Sequence, residues 1–241
     1  MRPWAVAALD LLYPALCPVC DAVLGDRRRD PLCGACWDAI DRIAPPVCAR
    51  CGLPFPTFDP APAAAEGTCG ACMRETPPFA AARAAAVFAG PLRDAVLALK
   101  FRGARGVTRP LAALVLDSPA AALLDGVDAL VPVPLAPARQ RERGFNQATL
   151  IAERLGRARG VPVRPRWLRR QRPTLAQTDL NAAERRRNVA GAFAASPAVA
   201  GRSLVVVDDV FTTGATVAEC ARALRSAGAR PVAVLTVARV L

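Results

Sequence analysis

Eight of the nine cysteines fall in four Cys-x-x-Cys pairs, Cys17/Cys20, Cys33/Cys36, Cys48/Cys51 and Cys69/Cys72. No other feature of the chain constrains its folding as tightly. Two thiolates three positions apart on a tight turn can both reach one tetrahedral Zn²⁺ at about 2.3 Å, and two such knuckles close a four-thiolate shell. Eight ligands therefore predict two zinc sites. Every position in each shell is filled by thiolate, which leaves none of the open coordination that catalytic zinc needs, so both sites read as structural. A disulfide framework would require an exported protein, and a redox pair is not normally repeated four times. Spacing leaves the pairing open between consecutive ribbons (17/20/33/36 and 48/51/69/72) and an interleaved arrangement.

Export finds little support at the N-terminus. The run MRPWAVAALDLLYPALC is interrupted by Asp10 and Pro14, and Leu16 stands where a lipidated cysteine expects a small residue. No later stretch approaches 18 uncharged apolar residues, so the expectation is a cytoplasmic protein with no stable membrane insertion. Residues 4–12 read as a short amphipathic helix. Pro77-Pro78, in RETPPF, marks a boundary between a cysteine-rich module at 1–76 and a second domain at 77–241. Cys220, the ninth cysteine, stands alone in a helical segment and reads as a small buried residue.

Beyond the boundary the pattern changes. Apolar runs of strand length at Ala84–Phe88, Ala129–Val133, Leu204–Val207 and Val232–Val237 alternate with segments of helical period at Leu92–Phe101, Leu111–Leu123, Ala148–Arg159 and Val217–Ala227. Such alternation predicts an α/β fold, a twisted parallel sheet flanked by helices. Ligands in such sheets bind at the carboxyl ends of strands. There the segment Leu204–Thr216 runs from an apolar strand into Asp208 and Asp209, then a Thr/Gly loop, then a helix. Gly214 permits close backbone approach. The amides of 212–216 and the hydroxyls of Thr212, Thr213 and Thr216 can surround a phosphate, and the helix adds its positive end. Two acceptor-only carboxylates one ribose away from that phosphate suit vicinal hydroxyls. GxxxxGK[ST] and GxGxxG are both missing, which argues against nucleotide-triphosphatase and dinucleotide readings.

Charge agrees with an anionic ligand. The net charge is +12, and residues 136–189 hold 14 basic residues against 4 acidic, whereas 1–76 hold 7 against 9. Pyrophosphate and nucleic acid both satisfy so dense an arginine block, as does a merely solvated basic face. The acidic cysteine module is a poor nucleic-acid binder and reads better as a docking or lid element.

The segment VVVDDVFTTGAT resembles the phosphoribosyl pyrophosphate motif of type I phosphoribosyltransferases. Together with LKFRG (99–103), VPVPL (131–135), RERGFNQA (141–148), QTDLNAAERRRNVAGAF (177–193) and the CxxC pairs, it makes almost the whole chain similar to the ComF family of competence-associated proteins. The resemblance implies the type I phosphoribosyltransferase fold behind a double zinc ribbon, and a link to DNA uptake. It implies that Asp208 and Asp209 hold the ribose hydroxyls and that Thr212, Thr213, Gly214, Ala215 and Thr216 bind the 5-phosphate. Arg139, Arg141 and Arg143 fall near the pyrophosphate loop. Arg185, Arg186 and Arg187 fall in the mobile catalytic loop, with a solvated helix face beside Glu184 as the plain alternative. Mg²⁺ would accompany the pyrophosphate. Transfer of ribose 5-phosphate to an unidentified acceptor is one implied function. The other is a non-catalytic competence factor that binds the donor, single-stranded DNA or competence machinery proteins. Low aromatic content, 5%, argues against a dedicated strand-binding channel. Asn146 and Gln147 either line the cleft, or Gly144 makes a turn and Asn146 caps the helix that begins near Gln147. Lys100 and Phe101 either approach the site or lie on the surface. The zinc module is a candidate for the place of the acceptor-binding hood.

Overall fold

The computed structural model describes residues 15–24, 31–55, 67–172 and 187–241. The helix expected over 4–12 lies outside them, as do Arg185 and Arg186. Strands β1 (Ala82–Val87), β2 (Ala129–Pro132), β5 (Leu204–Phe211) and β6 (Val232–Arg239) form a parallel sheet in the order β1-β6-β5-β2. Between β2 and β5 the chain makes a separate antiparallel pair, β3 (Leu168–Arg170) with β4 (Phe193–Ala195). Besides helical residues 187–189, the described α-helices include α1 (Gly34–Asp38), α2 (Gly70–Arg74), α3 (Gly90–Arg102), α4 (Thr108–Leu116), α5 (Pro137–Arg143), α6 (Gln147–Arg159) and α7 (Ala215–Ser226). None is long and apolar enough to cross a membrane.

Two local expectations change. The helix read over Leu111–Leu123 stops at Leu116, and a 3₁₀ segment, Pro119–Leu124, follows, capped by Ser118. Pro119 biases the residue before it away from helical geometry, and its ring has no N–H to continue the ladder. The strand read as ending at Val207 continues to Phe211 and so contains both carboxylates. Pairing to β6 is kept up at Asp208↔Thr236 and Val210↔Ala238. Carboxylates are disfavoured in strands, and here tertiary pairing overrides that preference.

Alternation along the central strands builds two cores, one on each face of the sheet. Val205, Val207, Leu235 and Val237 pack with Leu92, Leu99, Leu111, Ile151 and Leu155 from α3, α4 and α6, and with Cys17, Cys36 and Trp37. Leu204, Val206, Val232 and Val234 pack with Val217, Cys220 and Leu224 of α7, and with Cys48, Cys51, Cys69 and Cys72. Cys220 is fully buried, as expected, and burial pushes its thiol well up.

Between the two halves of the cysteine-rich segment, residues 41–43 add to the outer edge of β1. Ile43 N donates to Ala85 O at 2.9 Å, Val87 N donates to Asp41 O at 2.8 Å, and Arg42 bridges Ala86 in antiparallel fashion. On the opposite edge Val163 bridges Leu130, with Leu130 N donating to Pro162 O at 2.9 Å. Both edges of the sheet are thereby covered along part of their length. The segment at 41–43 also places one thiol set against each face.

Candidate functional site

The cleft at the carboxyl ends of the central strands is lined by Lys100, the turn Val133–Ala136, Arg139, Gln147, Arg170, Asp208, Asp209, Phe211, Thr212, Gly214 and Thr216. Because adjacent strand residues face opposite ways, the two carboxylates enter it from different sides. Asp209 follows Val205 and Val207 toward α3, where Lys100 Nζ lies 2.8 Å from its Oδ2. Asp208 follows Leu204 and Val206 toward the side that carries Arg170 and Cys220. Asp209 N donates to Asp208 Oδ1 at 2.9 Å. Burial and the neighbouring Asp209 charge push the Asp208 carboxyl up to about 7, against the opposing pull of Lys100.

The loop after β5 is shaped by Gly214, which sits at φ 76° just before α7. A Cβ there would stand 2.5 Å from Phe211 Cζ, so only glycine lets the loop lie against that ring. Phe211 in turn meets Phe79 edge to face, with centroids 6.4 Å apart.

Of the arginines singled out in the sequence, Arg139 lines the cleft, while Arg141 is exposed on α5 and does not. Arg143 is turned to the lip: its guanidinium lies 5.2 Å from the Phe101 ring centroid and donates to Gln147 Oε1 at 3.3 Å. Asn146 caps α6, accepting from Ala148 N and donating to Val133 O, both at 2.9 Å. Gln147, the next residue, lines the cleft, so the pair divides between the two roles. Gly144 ends α5 in the left-handed conformation, making the expected turn. Lys100 takes the functional alternative. Arg170 also lines the cleft, and nothing local in the sequence points to it. It sits in β3, a three-residue strand whose partner lies over twenty residues away, so no local pattern marks it. Arg187 lies outside this cleft. It lines a larger neighbour of about 810 Å³, with Cys51, Cys72, Pro78, Phe79, Phe211, Thr213 and Arg222. Among the described residues, the cysteine-rich segment faces that neighbour and contributes nothing to the carboxylate cleft.

The thiols resolve into the consecutive sets Cys17/Cys20/Cys33/Cys36 and Cys48/Cys51/Cys69/Cys72, with each set's sulfurs within 4.8 Å of one another. The contacts Cys20 Sγ to Cys33 Sγ and Cys51 Sγ to Cys69 Sγ are both 3.6 Å. A regular tetrahedron with ~2.3 Å metal–sulfur bonds has edges near 3.8 Å, so the donor sets fit zinc. Knuckle amides prepare the sulfurs: Cys36 N donates to Cys33 Sγ at 3.4 Å, and Cys69 N donates to Cys48 Sγ at 3.2 Å. Burial pushes the Cys48 thiol up, but donation from the backbones of Cys51, Cys69 and Arg50 outweighs it and brings the thiol down to about 6. Arg239, 8% exposed, braces the second set, with Nη1 donating to Cys51 O at 2.6 Å and Nη2 3.8 Å from Cys51 Sγ. The same guanidinium stacks on Phe211 at 4.5 Å. A continuous contact therefore runs from the second thiol set through Arg239 and Phe211 to Gly214.

A model of the double zinc ribbon domain matches residues 8–73, and one of the phosphoribosyl transferase domain matches residues 143–240. The chain is 35% identical over 235 residues to DNA utilization protein YhgH of Escherichia coli (strain K12), covering 96% of this chain and 100% of that protein. It is 31% identical over 220 residues to Competence protein F of Haemophilus influenzae, covering 88% of this chain and 91% of that one. Competence protein ComFC of Bacillus subtilis is 24% identical over 243 residues, covering 90% of this chain and 91% of its own.

Proposed function

The chain belongs to the ComF family, with a phosphoribosyltransferase-like domain behind a double zinc ribbon, and from that premise we propose that it binds phosphoribosyl pyrophosphate and transfers its ribose 5-phosphate to a nitrogen acceptor. One observation carries this reading: Asp208, Asp209, the Gly214 loop, Arg139, Lys100 and Arg170 meet in one cleft at the carboxyl end of β5. Amides and hydroxyls of 212–216 hold the 5-phosphate. Asp208 and Asp209 accept from the ribose hydroxyls, which requires Asp209 to exchange part of its hold on Lys100. Lys100, Arg139 and Arg170 supply positive charge for the pyrophosphate.

In the transfer, the acceptor nitrogen lone pair forms a bond to C1 as the C1–O bond breaks. The electron pair leaves on pyrophosphate and the acceptor's proton goes to water. Such a step depends on positioning and charge stabilisation rather than on a strong base. Mg²⁺, when bound, would supply charge neutralisation for the pyrophosphate, and Asp208 and Asp209 are the carboxylates of the cleft that would hold it. The Cys₄ sets hold zinc as structural ions, and the division into 1–76 and 77–241 is part of the same proposal. Arg187 then belongs to the neighbouring cleft rather than to the pyrophosphate. Arg185 and Arg186 remain assigned to closure over the pyrophosphate by family resemblance alone.

Calorimetry with phosphoribosyl pyrophosphate, with and without Mg²⁺, tests the reading. Binding that falls at least tenfold in Asp208→Ala plus Asp209→Ala supports it. Undetectable binding to the native protein, or binding indifferent to both changes, overturns it. A second reading follows from the exposed arginines Arg141, Arg157, Arg164, Arg166 and Arg169: a non-catalytic role in DNA use, in keeping with the relatives' names. Oligonucleotide binding that survives the double substitution and drops steeply with salt would favour it.

A further inference from the structure

We infer that the larger cavity beside the carboxylate cleft is a second ligand site, shaped for a phosphomonoester with a flat apolar body, and that its occupant tightens donor binding. A nucleoside monophosphate is the simplest ligand of that chemistry. The site stands apart from the donor reading above, whereas its effect on the donor rests on that reading. At about 810 Å³ the cavity falls within the size of small-molecule sites. One stripe of α7 forms a wall, with Ala215, Ala218, Glu219, Arg222 and Arg225 at helical spacing. The two alanines make room, and the arginines stand beyond them toward the end of the helix. Ala71, Pro77, Pro78 and Phe79 supply an apolar part of the lining against which a flat body can lie.

Charge decides the rest of the ligand. Arg187, Arg222, Arg225 and Arg239 line the cavity against the carboxylates Glu75 and Glu219. Glu219 is already engaged, accepting from Gly191 N at 2.7 Å and pairing with Arg222, while Glu75 is exposed. Arg222 and Arg225 are exposed and each commits Nη1, to Glu219 and to the Pro78 carbonyl respectively. Their other N–H groups can take phosphate oxygens. Arg239 gives an independent sign of an incomplete site. It is 8% exposed, and its Nε finds no hydrogen-bond partner among the described residues. Its Nη groups turn to Cys51, so its charge is offset by the zinc-loaded thiolates rather than by a carboxylate. Buried donors are nearly always paired, and an open one on a residue that lines a cavity of this size points to a ligand.

Phe211 and Gly214 line this cavity and the carboxylate cleft alike. A ligand packed against Phe211 restrains the ring on which the Gly214 loop lies, and a loop held in place beforehand binds the donor more tightly. The donor must then tighten the second ligand by the same factor.

The test uses the full zinc-loaded chain, saturated with phosphoribosyl pyrophosphate and Mg²⁺ so that the carboxylate cleft is filled. Calorimetric titrants are adenosine monophosphate, uridine monophosphate, adenosine, inorganic phosphate and an oligothymidylate. The expected result is saturable binding of at least one monophosphate, about tenfold or more tighter than adenosine or inorganic phosphate. Arg222→Gln plus Arg225→Gln should weaken that binding about tenfold or more, and so should Ala218→Leu, which fills the cavity without touching a charge. Donor affinity without nucleotide should stay within about threefold in both variants, and the bound monophosphate should tighten the donor about threefold or more. Asp208→Ala plus Asp209→Ala should leave monophosphate binding in place. Monophosphate binding that the donor displaces, or that this last pair of changes abolishes, belongs to the carboxylate cleft and overturns the second site. So does absence of monophosphate binding, binding unchanged in both cavity variants, or a response to oligothymidylate alone. Donor affinity indifferent to the bound monophosphate overturns the coupling. If the native protein shows no donor binding, the donor reading and the coupling fail, and the monophosphate titration still decides the site.

Discussion

The two thiol sets have the same ligands on the same kind of turn, yet the two faces of the sheet hold them differently. On the α3/α4 face, Cys17 and Cys36 are buried among Leu32, Trp37 and Leu92, while Cys20 is exposed and Cys33 half-buried. On the α7 face all four cysteines are buried, and Arg239 reaches from β6 to clamp Cys51. The face with the enclosed set also carries Phe211 and the Asp208 side chain. The face with the open set carries the Lys100–Asp209 pair. Identical coordination chemistry therefore serves two ends: a staple at the rim and a brace that reaches the Gly214 loop.

The sharpest way to break this comparison is to remove one ligand from each set. Cys69→Ser should cost about 4 kcal/mol or more of folding stability, whereas Cys20→Ser should cost roughly half of that, because only the first leaves a buried thiolate set open. Thermal unfolding with elemental analysis of retained zinc reads both, and equal losses would end the distinction. A chelator should likewise strip the Cys20 set first.

Arg239→Met keeps an apolar stem while removing the guanidinium. A cost of about 2–3 kcal/mol is expected from the lost bonds to Cys51, with faster zinc release from the second set and an unchanged rate from the first. Release of both at one rate would show that Arg239 is not specific to its face.

Glycine offers a smaller contrast. Gly214 at φ 76° faces Phe211, whereas Gly103 at φ 65° has open space around it. Alanine should cost ~2 kcal/mol or more at 214, with a matching loss of donor affinity, but only ~1 kcal/mol at 103 with none. Comparable costs would mean that the Phe211 wall yields.

The smallest effect concerns pH. Asp208 carries a raised native pKa of about 7, so between its ordinary value and that point the native state binds more protons than the unfolded one. The donor-free protein should then lose stability as pH rises through that window. Asp208→Asn should flatten the slope, by an amount on the order of 1 kcal/mol between pH 6 and 7.5. Denaturation midpoints on zinc-loaded protein at the two pH values measure it, and a slope unchanged by the substitution would remove Asp208 from the account.

Much of this was legible because it is local. Thiol spacing announces the two sets, and the run from Leu204 to Thr216 announces a strand, a loop and a helix in consecutive residues. Asn146 capping α6 and Gly144 turning the chain are decided within four positions. The rest depends on what packs from far away. Residues 41–43 contain nothing that reads as a strand, and they pair with β1 only because its edge is open there. Arg170 and Arg239 look like any other arginine in an arginine-rich chain until distant partners define them. The place of the zinc module depends on the same kind of distant contact. The course of the chain around β1 sets its two thiol sets against opposite faces of the sheet.

The position of β6 has a consequence for the order in which the molecule can be made. Later in the chain than the other described strands of its sheet, it nevertheless lies inside that sheet, between β1 and β5. A nascent chain carries both cysteine sets long before β1 has its inner neighbour or Cys51 has met Arg239. Pairings that span so much sequence form slowly and late. Chain order therefore separates the two: the cysteine turns emerge before the strand that fixes them to the rest of the molecule.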